Sequence, residues 1–161
     1  MLTDESIEQF KTERAKEKST AGDYLFLDNV GVLFAPNKPV ELFVSRVSEL
    51  IDEFKLKIVL TSSERYDVKA FDEYLHNFEL NEDIHIFDRT GLDDNERDQQ
   101  IMNWILKHDV RHFLILDDEL MDPVLKDYAV QTSFWSGFTE YAFREAQDNI
   151  RNQFRLSCQN I

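Results

Sequence analysis

Asp28 follows the apolar run Tyr24-Leu25-Phe26-Leu27, and Asp117-Asp118-Glu119 follow another, Phe113-Leu114-Ile115-Leu116. As neighbouring parallel strands, two such runs bring their terminal carboxylates to one edge and concentrate negative charge where a divalent cation can sit. A third run, Lys57-Ile58-Val59-Leu60, ends in three hydroxyls, Thr61, Ser62 and Ser63. Ligands of open α/β sheets bind outside the carboxyl ends of the strands, so Asp28, Ser62 and Asp117 share a candidate site.

The intervening segments supply what such a sheet needs. Residues 40–54 carry Leu42, Phe43, Val47, Leu50, Ile51 and Phe54 at helical spacing, and residues 68–78 carry Phe71, Tyr74, Leu75 and Phe78. A short strand is expected at 84–87 and a weaker one at 128–131, with a helix over 96–108 built on Ile101, Met102, Trp104, Ile105 and Leu106 and a closing helix from 139 to about 154. Near-continuous apolar strands alternating with helices mark a parallel sheet covered on both faces. The expected fold is therefore α/β, a doubly wound parallel sheet in a single domain. Residues 6–18 hold helix formers but few apolar side chains (Ile7, Phe10, Ala15), which predicts a mostly exposed helix, broken over 19–23. The organisation expected is an N-terminal helical extension, 1–20, followed by the α/β domain, 21–161.

Composition narrows the function classes. A chain of 161 residues with 42% hydrophobic content can bury a full core. A formal charge of -14 argues against general affinity for nucleic-acid backbone or an anionic membrane. The single cysteine, Cys158, forms no internal disulfide. The chain starts without the basic and apolar stretches of a secretory signal, and no window approaches the roughly 20 apolar residues of a membrane span, so a cytoplasmic setting is expected. His76, His85, His108 and His112 are scattered, with no pair at ligand spacing on a helix, and no zinc site is expected.

Taken in order, Phe26-Leu27-Asp28-Asn29-Val30-Gly31-Val32-Leu33, Ile58-Val59-Leu60-Thr61-Ser62-Ser63-Glu64-Arg65, Arg97 ahead of Ile101 and Trp104, and Leu114-Ile115-Leu116-Asp117-Asp118 resemble the motifs of haloacid dehalogenase-like (HAD) hydrolases. The resemblance covers roughly residues 24–137 and is similar in detail to small HAD domains with a Ser-Ser-x-Arg second motif, some of which occur in RNA-repair proteins. It implies a Rossmann-like fold and phosphoryl transfer through a covalent aspartyl-phosphate. Asp28 would be the nucleophile, Ser62 would hydrogen-bond the transferring phosphoryl group, and Arg97 would steady its charge. Thr61, Ser63 and Arg65 would border the substrate. Magnesium would be held by Asp28, Asp117, Asp118 and the backbone carbonyl of Val30. A carboxylate approaches a phosphate dianion only with cations between them.

Val30 departs from that pattern. The residue two after the nucleophile in HAD phosphatases is normally an aspartate that protonates the leaving oxygen and later activates water. Such acid–base catalysis is worth about 100- to 10,000-fold, or roughly 3 to 5 kcal/mol of barrier. Two readings follow: a weakened magnesium-dependent phosphohydrolase, or a domain without turnover that binds a phosphorylated ligand or a protein partner. The intervals between motifs are used up by ordinary crossovers, so no cap domain fits. An open site suits a large phosphorylated substrate or one closed by a partner, and the N-terminal helix offers a docking element for a partner or a second copy. Arg65 either reaches substrate or pairs with a neighbouring carboxylate. Asp122, before Pro123, reads as a helix cap, and Asp93-Asp94-Asn95-Glu96 as the acidic start of a helix.

Overall fold

A computed structural model describes residues 1–16 and 21–159. Residues 17–20, where the first helix was expected to end and the extension to meet the domain, lie outside the described residues, as do residues 160–161.

Five strands form one all-parallel sheet: β1 (Gly22–Leu27), β2 (Lys57–Leu60), β3 (Ile86–Arg89), β4 (Val110–Asp117) and β5 (Ala129–Gln131), in the order β3-β2-β1-β4-β5. The helices are α1 (Asp4–Arg14), α2 (Val40–Phe54), α3 (Val68–Asn77), α4 (Arg97–Lys107), α5 (Pro123–Lys126) and α6 (Glu140–Gln159), with a 3-10 turn over Ser63–Asp67. Strand order reverses between β1 and β4, which places the switch point of the sheet at the ends of the two strands that carry Asp28 and Asp117.

Side-chain alternation splits the core into two layers. Leu25 and Leu27 of β1, Ile58 and Leu60 of β2, and Leu114 and Leu116 of β4 pack with Phe43, Val47, Leu50 and Ile51 of α2, Leu75 of α3 and Ala146 and Ile150 of α6. Tyr24 and Phe26, Val59, and Phe113 and Ile115 face the other way, onto Ile101, Met102, Trp104 and Ile105 of α4 and Leu125 of α5. Trp104 is thus core, its ring edge-on to Phe26 and its Nε1 donating to Asp88 Oδ2 at 2.8 Å.

The third strand starts two residues later than the sequence suggests. Ile86 is its first paired residue, opposite Ile58, and the ladder then runs through Asp88 and Arg89 against Val59 and Leu60. At a sheet edge one face is solvated, so Phe87 stands half exposed and apolar content marks the strand poorly. α1 is mostly exposed as expected, yet its largest apolar side chain is spent on its own domain: Phe10 is buried, edge-on to Phe113 and Tyr128, with Ile7 partly buried against the same layer. Asp122 caps α5 through Val124 N and also accepts from Leu2 N at 3.1 Å. No lid domain stands among the described residues: β1 to α2 is a loop, and between β2 and α4 lie only the 3-10 turn, α3 and β3. No helix among the described residues is long and apolar enough to cross a membrane.

Candidate active site

Register builds the site. Leu27 lies opposite Leu60 on one side and Leu116 on the other, so the next residue of each strand, Asp28, Thr61 and Asp117, emerges at one level. Main-chain bonds continue the ladder past the strand ends, with Asp28 N donating to Leu116 O, Thr61 N to Leu27 O and Thr90 N to Leu60 O. Alternation does the rest: Asp28 and Asp117 follow Leu27 and Leu116 of one layer and therefore point toward the layer of α4. Arg97 opens that helix.

Arg97 Nη1 accordingly lies 3.0 Å from Asp28 Oδ2 and 2.9 Å from Asp117 Oδ2. Both acids are buried, and Asp117 also accepts from Glu119 N at 2.9 Å. Asp118, half-buried, completes a trio whose carboxylate oxygens lie within 4.8 Å of one another. Burial pushes the Asp28 carboxyl up to about 6, with Arg97 pulling against it. Burial and the charge of Asp28 push Asp117 up to about 7, again against Arg97. Burial would lower the Arg97 guanidinium, but the two carboxylates outweigh it and hold its ionisation well above the usual range. Two of the three carboxyl groups share one cation, and the cluster in its ionised form carries more negative charge than Arg97 offsets.

The loop after β1 is drawn tight around these acids. Gly31 takes a left-handed φ of 89°, and a Cβ there would lie 2.5 Å from Asp118 Oδ2, so only glycine lets the Asp118 carboxylate approach. Thr132 Oγ1, beyond β5, donates to Gly31 O at 2.5 Å and ties the loop to the next strand end. The Val30 side chain is 44% exposed and lies outside the core, and its carbonyl takes no main-chain donor among the described residues. Asn29 Nδ2 donates to Glu64 Oε1 at 3.0 Å, joining the first loop to the second.

That second loop holds orphan hydroxyls. Thr61 Oγ1 and Ser62 Oγ are buried without a hydrogen-bond partner among the described residues, as is Thr90 Oγ1 at the end of β3. A buried hydroxyl normally finds a partner, so these three at the strand ends are available to bond a ligand. Ser63 is exposed beside them. Arg65 is buried and donates to the carbonyls of Thr61 (3.1 Å), Ser62 (2.9 Å) and Gly91 (3.2 Å), with no salt bridge to a carboxylate among the described residues. It braces the loop that presents the hydroxyls. Trp135 is 70% exposed and makes no part of the core.

The structure thus brings together Asp28, Asp117, Asp118 and Arg97, with Thr61 and Ser62 on the adjoining strand end. Sequence reasoning missed Thr90, Thr132 and Glu64. Thr90 and Thr132 each stand just past a short edge strand, β3 or β5, and hydroxyls beyond such strands are the signal that could have found them. The donor set fits a hard divalent ion: it is all oxygen, crowded and undercompensated in charge.

A search of curated proteins and a search of solved structures both return no match. A family model described as the HAD domain in Swiss Army Knife RNA repair proteins matches residues 24–143, which hold every strand of the sheet beyond its first two residues and every group of this site. By that match, the chain belongs to the family of HAD domains found in Swiss Army Knife RNA repair proteins.

Proposed function

We propose that this domain is a magnesium-dependent phosphohydrolase that works through an aspartyl-phosphate on Asp28. The observation that carries the reading is the convergence of Asp28, Asp117 and Asp118 on one point, with the unpartnered Ser62 hydroxyl on the adjoining strand end. Asp28, Asp117, Asp118 and the Val30 carbonyl would hold the ion, which when bound supplies the positive charge that lets a carboxylate and a phosphate dianion meet. An Asp28 oxygen attacks phosphorus as the bond to the leaving oxygen breaks. Ser62 Oγ donates to the phosphoryl group, and Arg97 holds Asp28 in line while offsetting its charge. Val30 carries no proton, so solvent protonates the leaving oxygen. Water then attacks the phosphorus of the acyl-phosphate, releasing phosphate and restoring the Asp28 carboxylate.

Loss of the acid–base group favours esters whose leaving oxygen needs no proton. Without a lid domain among the described residues, the site would admit a large phosphorylated substrate, and the family description suggests RNA repair as the setting. A cytoplasmic location is consistent with the acidic composition and the single cysteine. The second reading, a phosphate-binding domain without turnover, rests on Val30 alone. Purified protein with magnesium should hydrolyse an aryl phosphate and lose that activity in Asp28→Asn. Hydrolysis no faster than this variant on any phosphate ester would leave the binding reading in its place.

A further inference from the structure

Away from the carboxyl edge of the sheet, a second cluster joins α3 to the start of β3. Asp72 and His76 stand one turn apart on α3, and the chain returns through His85. His85 Nδ1 lies 3.0 Å and His76 Nδ1 3.1 Å from the same atom, Asp72 Oδ1. The other carboxylate oxygen, Oδ2, accepts from Ile86 N at 2.7 Å, which fixes the carboxylate plane. The two imidazole rings are 4.8 Å apart and inclined by 40°. The sequence expectation of no zinc site considered only histidine pairs at ligand spacing on one helix; here the helical partner of His76 is an aspartate, and the second histidine arrives from the next element.

We propose that Asp72, His76 and His85 form a binding site for Zn2+, separate from the carboxylate cluster and independent of whether that cluster turns over. Tetrahedral zinc with bonds of about 2.0–2.1 Å sets its ligand atoms roughly 3.3 Å apart, close to the two spacings that radiate from Asp72 Oδ1. Two imidazole nitrogens and one carboxylate oxygen make the donor set of known three-ligand zinc sites, and solvent reaches the fourth position because His85 is largely exposed. Ile86 N–H supplies the outer bond that orients a ligating carboxylate. One group works against the ion. His76 Nδ1 now bonds Asp72 O at 2.7 Å, and metallation there moves the ring proton to Nε2, which is buried without a partner among the described residues. Affinity should therefore be moderate, on the order of micromolar, rather than that of a fully built structural site.

The ion would pin the edge strand to its helix. Further along β3, Arg89 Nη1 donates to Arg65 O at 2.8 Å, and Arg65 braces the Thr61 and Ser62 carbonyls, so the cluster anchors the strand on which the hydroxyl loop leans. The test uses the full chain carrying Cys158→Ser and Asp28→Asn, which remove the exposed thiol and weaken the other cation site. Zn2+ is titrated against a chromophoric chelator, and melting is followed with and without Zn2+. One equivalent should bind and raise the melting temperature. His85→Ala, at an exposed position, should lower the metal-free melting temperature only slightly, through loss of its bond to Asp72, while it weakens zinc binding by more than about tenfold and abolishes the thermal shift. Asp72→Asn should do the same to binding. No zinc retained above a protein blank, or a stoichiometry and affinity untouched by His85→Ala, would overturn the site.

Discussion

Val30 and Gly31 stand side by side on the nucleophile loop and constrain the site in opposite ways. Val30 is surface, so a carboxylate there meets no packing penalty. Val30→Asp should raise turnover of alkyl phosphates by up to about 100- to 10,000-fold while changing aryl phosphate turnover far less, because only the poorer leaving group needs a proton. Rates on a paired alkyl and aryl ester read this directly, and an equal change on both would show that proton donation was not what the site lacked. Gly31 has no such freedom. Gly31→Ala places a methyl on the Asp118 carboxylate at a positive φ, so the loop and Asp118 must part. The left-handed backbone alone costs about 1–2 kcal/mol. Weaker magnesium binding with an intact fold is expected, measured by titration against circular dichroism. The Asp28–Arg97–Asp117 bridge is constrained too, since among the described residues neither acid forms a salt bridge with any other cationic side chain.

Elements explain which parts of the architecture were legible. α2 was readable to the residue because its apolar positions repeat at helical spacing over 15 residues and Lys55 ends it in a left-handed turn. The central strands were readable because both their faces are buried. β3 was misplaced since an edge strand has one wet face, and Ile84 lies before the pairing rather than in it. Arg65 was undecidable from sequence, because its partners are main-chain carbonyls, which have no residue signature. Arg65→Ala removes three such bonds and should destabilise by roughly 2–3 kcal/mol, with a larger loss of phosphate binding than of magnesium binding. Equal losses in both would place the effect in global unfolding. α1 looked like an appendage because its apolar side chains are few. Phe10 is buried against two rings, so Phe10→Ala should cost about 3 kcal/mol in chemical denaturation and release α1, seen as new proteolytic cleavage near the N-terminus. Unchanged stability would mean that the helix is not held through this residue.

For the whole molecule, the acids of the site set how stability responds to pH. Asp28 and Asp117 have ordinary values of 3.8 in an unfolded chain and are pushed up to about 6 and about 7 in the fold. Between those limits the folded state binds more protons than the unfolded one, so stability falls as pH rises through that window. Below about pH 4 both states are protonated and this contribution is complete; above pH 7 it is gone. Asp23 acts in the opposite sense at the other end of the sheet. Burial alone would raise its carboxyl, but His112 and Arg111 outweigh burial and hold it below 3.8, so its contribution is lost only as pH falls through the acid range. The net charge of -14 adds general repulsion at high pH, which salt screens. Site and surface can therefore be separated. Metal-free protein in 0.5 M salt should still lose melting temperature from pH 5 to pH 8, and Asp117→Asn should flatten that slope, since it removes one titrating acid and the like-charge pressure on the other. Magnesium at pH 8 should restore the loss in the native protein and little of it in the variant, because the ion binds the ionised cluster and not the protonated one. A native slope that vanishes in high salt would assign the pH response to surface charge, and would mean that the buried acids are already neutralised without a divalent ion.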